Sequence, residues 1–80
     1  MITITIQYFA ILREQRGLST ERLTTPAETP RALYDTLQLQ HGFTLPESRV
    51  RAAVNGEFVI SIVMLRDGDE VVFIPPVAGG

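Results

Sequence analysis

The stretch best suited to chemistry is the last one, Phe73-Ile74-Pro75-Pro76-Val77-Ala78-Gly79-Gly80. Pro75-Pro76 blocks further strand pairing and favours an extended polyproline conformation. That stiffness lowers the entropy lost when a chain end threads into a partner. Gly79 and Gly80 carry no side chains, so they fit a narrow channel and let another protein's catalytic groups approach a final carboxylate. A carboxylate is a poor electrophile, but joined to a phosphate it becomes a good one. At roughly 3.3–3.6 Å per residue, the six residues from Pro75 to Gly80 reach about 20 Å. The pattern predicts a flexible C-terminal tail on which other proteins perform the chemistry. The alternative is an ordinary terminus whose glycines are incidental.

The rest of the chain offers little else. There is no cysteine, hence no disulfide, thiol nucleophile or cysteine-ligated metal, which fits a reducing cytosol. The single histidine, His41, falls at a predicted helix end, where the helix dipole rather than catalysis accounts for it. No His/Asp/Glu cluster has metal spacing, and no metal is expected. Gly56 and Gly68 are isolated turn glycines, not a phosphate loop. Asp67 and Asp69 flank Gly68 and form either an acid–base pair or, more simply, a solvated turn. Tyr8 and Tyr34 read as core or half-core aromatics. All seven basic residues are arginine. Codon bias or chance explains this, or side-chain amines are absent because the terminus becomes an electrophile.

Composition sets the frame. Eighty residues make one domain near the lower size limit for folding without staples. Apolar residues are 45% of the chain, enough for a small core. A net charge of −2 argues against nucleic acid or an anionic membrane as the main partner. No run approaches a transmembrane span. The start, Met1 to Ile6, alternates without a basic flank and is unlike a signal peptide.

Met1 to Tyr8 predicts a half-buried strand, with Ile2, Ile4, Ile6 and Tyr8 on one face and Thr3, Thr5 and Gln7 on the other. Phe9 to Arg16 predicts a short helix stopped by Gly17. Ser19 to Thr25 is a thin strand at an edge. Thr29 suits an N-cap and Pro30 the first turn of the main helix, which carries Leu33 and Leu37 and ends at Gly42. Phe43 to Arg49 is a loop broken by Pro46. Arg51 to Val54 is a third strand, Asn55-Gly56 a type I′ hairpin turn, and Glu57 to Ile60 the returning strand. Asp67-Gly68-Asp69 turns into a last strand, Glu70 to Ile74. This order predicts an α+β fold of the ubiquitin-like β-grasp kind. One main helix crosses one face of a mixed sheet of about five strands, the first and last strands central and parallel. Residues 1–74 form the domain and 75–80 the tail.

One helix covers only one face, so the other should be polar. Thr3, Thr5 and Gln7 comply. Phe9 shares their parity if the strand runs one residue longer. Val72 and Ile74 point away from the helix if Val71 and Phe73 point toward it, and Phe58 poses the same problem. Either these four tuck under loops, or they form an uncovered apolar patch that binds a protein beside the tail.

The segments "YFAILRE", "AAVNGEFV" and "DGDEVVFIPPVAGG" together resemble the small subunits of molybdopterin synthase, ubiquitin-like sulfur carriers related to the thiamine sulfur carrier. The resemblance covers nearly the whole chain, and the terminal Pro75-Pro76-Val77-Ala78-Gly79-Gly80 is its most specific part. It implies that Gly80, preceded by Gly79, is adenylated by an ATP-using enzyme related to those that activate ubiquitin. A sulfur donor protein then converts the adenylate to a thiocarboxylate. It further implies that the tail enters the large synthase subunit and donates sulfur to cyclic pyranopterin monophosphate. Two transfers build the dithiolene of the molybdenum cofactor. The implied assembly is a cytoplasmic heterotetramer in which this chain is a non-catalytic sulfur-carrying subunit with no cofactor of its own. The implied partner face falls on Phe9, Phe58 and Ile74, with Val72 and tail residues Pro75, Pro76, Val77 and Ala78 beside it.

The sequence leaves three rivals. A thiamine-type carrier shares fold and activation but supplies a thiazole; the proline pair and the length favour the molybdopterin reading. A ubiquitin-like modifier joins its terminal glycine to lysines of other proteins. A plain interaction domain has no use for Gly80.

Overall fold

A computed structural model describes residues 1–76 of the chain. The flexible tail expected of Val77, Ala78, Gly79 and Gly80 lies outside the described residues.

Alternation of β-branched residues makes β1 (Ile2–Tyr8) a strand that buries Ile4, Ile6 and Tyr8 on one side. It pairs antiparallel with β2 (Thr20–Thr25) and parallel with β5 (Glu70–Ile74). On its other side β5 pairs antiparallel with β3 (Arg51–Val54), which pairs with β4 (Glu57–Val59). The sheet order is β2-β1-β5-β3-β4, so the central parallel pair and the edge position of β2 are as expected. The fourth strand ends at Val59, one residue short of the expected Ile60. The β3–β4 turn has positive φ at both Asn55 (52°) and Gly56 (87°), the type I′ requirement.

The main helix, α2 (Pro30–His41), starts as its sequence dictates. Thr29 is extended and its Oγ1 accepts the Ala32 N–H at 3.1 Å, while Pro30 sits in the first turn. Gly42 ends it with a left-handed φ of 69°. Its buried stripe, Leu33, Tyr34 and Leu37, lies in one cluster with Ile4, Ile6, Val71 and Phe73 of the sheet. Tyr34 meets Phe73 edge-on at 5.3 Å and Phe43 at 5.7 Å, and Tyr8 meets Phe43 edge-on at 6.0 Å. The Tyr34 hydroxyl donates to the Leu45 carbonyl at 2.7 Å, which satisfies a buried polar atom and pins the loop after α2.

The Asp67–Asp69 turn is structural. Asp67 accepts the Thr3 N–H at 2.7 Å. Asp69 accepts the Arg66 N–H at 2.8 Å and the Asn55 side-chain amide at 2.9 Å. Asn55 in turn accepts the Glu70 N–H at 3.0 Å, so the hairpin and this turn brace each other. These engagements favour the turn over the acid–base pair.

A second polar cluster closes one end of the core. The short helix α1 (Ala10–Arg16) is capped by Gly17 and brings Arg16 to Glu21 of β2. Arg16 donates to Glu21 through Nε at 3.1 Å and Nη2 at 2.6 Å, and the Tyr8 hydroxyl donates to the same carboxylate at 2.6 Å. The Arg16 hydrogen bonds hold the Glu21 carboxyl below the usual range, against partial desolvation. Burial first, then Glu21, pushes Tyr8 above the usual tyrosine range. His41 does stand in the last turn of α2, but its proton affinity is lowered rather than raised. Burial and the Arg16 charge outweigh what a helix C-terminus offers a cation.

The signs of these shifts define a test. Glu21, with its value lowered in the fold, contributes stability that is present above the ordinary carboxyl value of 4.5 and is lost as pH falls through its folded value. His41, also lowered, costs stability as pH falls below its ordinary 6.5. Urea midpoints taken across pH are therefore expected to fall on acidification in two stages. Glu21→Gln should remove the lower stage and His41→Asn the upper. Unchanged profiles in both variants would rule out these assignments.

Candidate functional site on the open sheet face

The face of the sheet opposite α2 divides into two halves. Toward β2 it is polar: the Thr3 and Thr24 hydroxyls share a hydrogen bond at 2.8 Å, and Gln7 donates to Glu70 at 3.3 Å. Toward β4 it is apolar. Pairing registers set Val72 of β5 against Ala53 of β3, and Ala53 against Phe58 of β4, in one row. The next row sets Ile74 against Arg51. Val71 and Phe73 are buried under α2, so Val72 and Ile74 take the open face, both half-buried. Phe58 is 59% exposed.

Phe9 joins this face for a backbone reason. It is the N-cap of α1 and remains extended (φ −126°, ψ 153°), so the strand geometry runs one residue past Tyr8. That puts Phe9 one step past the Tyr8–Phe73 pair, beside Ile74, with 46% of its surface exposed. The chain turns immediately afterwards at Ala10, whose φ of 52° is a left-handed conformation that L-residues avoid. The strained turn starts α1 at Ala10 rather than at the expected Phe9 and leaves Phe9 on the sheet, where the parity of a strand one residue longer places it.

The tail leaves from the middle of this arrangement. Ile74 is the last residue of a central strand, Pro75 is half-buried and Pro76 exposed. The fold thus gathers Phe9, Phe58, Val72, Ile74 and Pro75 at the tail root. The expected site residues Val77, Ala78, Gly79 and Gly80 lie outside the described residues.

The ThiS family profile matches residues 6–80. This chain belongs to that family. The molybdopterin synthase sulfur carrier subunit of Escherichia coli is 35% identical over 96% of this chain and 99% of its own length. A solved Pyrococcus furiosus structure, provisionally named molybdopterin converting factor subunit 1, superposes with a TM-score of 0.80 at 30% identity, covering 96% of this chain and 100% of that one. SAMP1 of Haloferax volcanii superposes with a TM-score of 0.77 at 25% identity, covering 98% and 99%. The β-grasp expected from the order of elements is the fold of this ThiS-family chain.

Sequence reading missed three features of the site. The Arg51 guanidinium lies 4.2 Å from the Phe58 ring centroid. Ala53 is nearly buried although no helix covers it, because Val72 and Phe58 flank it. The hairpin turn held the signal for both, since Asn55-Gly56 fixes Ala53 opposite Phe58 and gives Arg51 the same parity. The third is the β4–β5 connection, where Ile60, Ile62 and Met64 are exposed apolar residues. It is tied back near α2 by hydrogen bonds from the Arg31 and Leu65 N–H groups to the Ser61 and Glu28 carbonyls, at 2.9 and 2.8 Å.

Two stability measurements follow. Phe58→Ala is expected to cost less than about 1 kcal/mol, since an exposed ring loses little beyond its cation–π contact. Phe73→Ala should cost about 3–5 kcal/mol by opening the core beneath α2. Equal losses would mean that Phe58 belongs to the core. At Ala10, glycine relieves a left-handed strain of about 1–2 kcal/mol against a helix-propensity loss of about 1 kcal/mol. Ala10→Gly should therefore leave the urea midpoint unchanged or raised, and a loss above about 1 kcal/mol would contradict the strained turn.

Proposed function

We propose that this ThiS-family chain is the sulfur carrier subunit of a molybdopterin synthase. The observation that carries this reading is the tail root. Pro75-Pro76 leave a central strand beside an apolar face, in a family whose profile match extends to residue 80. The E. coli relative, matched along nearly its whole length, bears the name of such a subunit.

The chemistry proposed for the tip is acyl transfer. The Gly80 carboxylate attacks the α-phosphorus of ATP in a separate activating enzyme, forming an acyl-adenylate and releasing pyrophosphate. A donor of sulfide-level sulfur then attacks the carbonyl carbon, expels AMP and leaves a thiocarboxylate. In the large synthase subunit the thiocarboxylate sulfur attacks a carbon of the cyclic pyranopterin monophosphate precursor and displaces an oxygen substituent there; water then cleaves the acyl carbon–sulfur bond, leaving the sulfur on the product and the tail again a carboxylate. The carrier contributes reach, narrowness and a docking face, and the catalytic groups belong to its partners. Among the described residues no helix is long and apolar enough to cross a membrane, which suits a carrier that moves between soluble enzymes.

A second reading rests on one observation. SAMP1, the small archaeal modifier protein 1 of H. volcanii, has the same fold at 25% identity. A modifier would join Gly80 to lysines of other proteins. Denaturing, reducing immunoblots of cell lysate separate the two: a ladder supports the modifier and a single small band the carrier.

Tail length is the direct test. Positioned reactions lose large factors when the reacting atoms miss by an ångström, and one residue shifts the end by about 3.3–3.6 Å. Deleting Gly80, or adding a residue after it, should abolish thiocarboxylate formation with activating enzyme, ATP and a sulfur source. Thermal unfolding should move by no more than about 0.5 kcal/mol. Gly80→Ala keeps the carboxylate in place and should be slower but active. A deletion variant that gains sulfur and converts precursor at the wild-type rate would overturn the reading.

A further inference from the structure

We propose that Arg51 makes the open face selective for a protein partner that presents a carboxylate beside an apolar side chain. The inference rests on the carrier reading for the identity of that partner, the large synthase subunit.

Arg51 is the first residue of β3 and stands opposite Ile74, the last strand residue before the tail. Its guanidinium lies over Phe58, with 4.2 Å from the guanidinium carbon to the ring centroid. In that position the guanidinium keeps N–H donors for another partner. Within the chain, the neighbouring acids are engaged or turned away. The ion pairs among the described residues are Arg16–Glu21 and Arg31–Glu47. The Glu70 carboxylate accepts from Gln7. Glu57, paired with Val54, has the opposite parity to Phe58 on β4.

Charge complementarity then follows from geometry. A surface that covers Phe58 must also cover the cation that lies over it. Taking a guanidinium out of water without an acceptor is costly, whereas a carboxylate can meet its N–H edge with two parallel hydrogen bonds. Val72 and Ile74 beside it call for an apolar counterpart. Aromatic residues and arginine at the centre of a patch form the usual composition of an interface hot spot. Nucleic acid fits this face poorly, because it needs a basic stripe and this chain has a net charge of −2.

The test measures affinity of the full chain for the large subunit from the same source, across salt concentrations. Arg51→Met keeps an apolar cover over Phe58 and removes only the charge and the donors. It should weaken binding at low salt at least tenfold and flatten the salt dependence, and Arg51→Glu should weaken it further. Arg51→Lys keeps the charge without the planar fork and should fall between wild type and Arg51→Met. Thermal unfolding of each variant verifies the fold, and should Arg51→Met fail to fold, Arg51→Lys and Arg51→Glu decide. Wild-type affinity and salt slope in Arg51→Met, or lost affinity with an unchanged slope, would overturn the proposal while leaving the carrier reading intact. Failure of the wild-type chain itself to bind would overturn both.

Discussion

The structure depends on the parallel pairing of β1 with β5 at the centre of the sheet. Ile6 and Val71 lie side by side under α2, as do Tyr8 and Phe73, and all four are almost wholly buried. One helix fills one face, and the chain has too few residues to build a second layer. The same pairing therefore leaves an open face and sends the chain out through its middle. A tail leaving an edge strand would stand apart from any docking surface. Here Ile74 is at once the end of the central strand, the neighbour of Arg51 and the last strand residue before Pro75.

Stability and function are separated by parity along the same strands. In β5, Val71 and Phe73 hold the core while Val72 and Ile74 face outward. In β1 the isoleucines and Tyr8 go in, and the extended backbone at Phe9 keeps that side chain on the other side. Polar bracing sits away from the site: Tyr8, Arg16 and Glu21 close the end near α1, and Asn55, Asp67 and Asp69 hold the far turns. The apolar half of the open face carries none of these braces. It can then be reshaped for a partner at small cost to folding, which suits a domain of this size.

Much of this was legible in the sequence because local chemistry and the global fold agree. Thr29-Pro30 and Gly42 marked the main helix, and Asn55-Gly56 marked the hairpin. Parity alone exposed Phe58, Val72 and Ile74. What stayed hidden depends on distances between segments or on unusual backbone. The position of Arg51 over Phe58 and the cover over Ala53 require the folded register. Ala10 has a residue type that gives no hint of its left-handed φ, so the sequence predicts a helix one residue too long. The helix end suggests a favoured cation at His41, but burial and then Arg16, from another element, reverse the shift. Apart from Ile60 at the end of the expected fourth strand, the exposed apolar residues of the β4–β5 connection, Ile62 and Met64, belong to no element that the sequence predicts.

The central claim is that the end of this chain carries sulfur. Its most direct test is the intact mass of the protein isolated from its own cells, without acid or reductant in the workup. The expected spectrum contains a species heavier by the exchange of one oxygen for sulfur, localised by fragmentation to the terminal glycine and lost on hydrolysis. A chain found only with its unmodified carboxylate, from cells that hold the activating enzyme and the sulfur donor but lack the large subunit, would contradict the account.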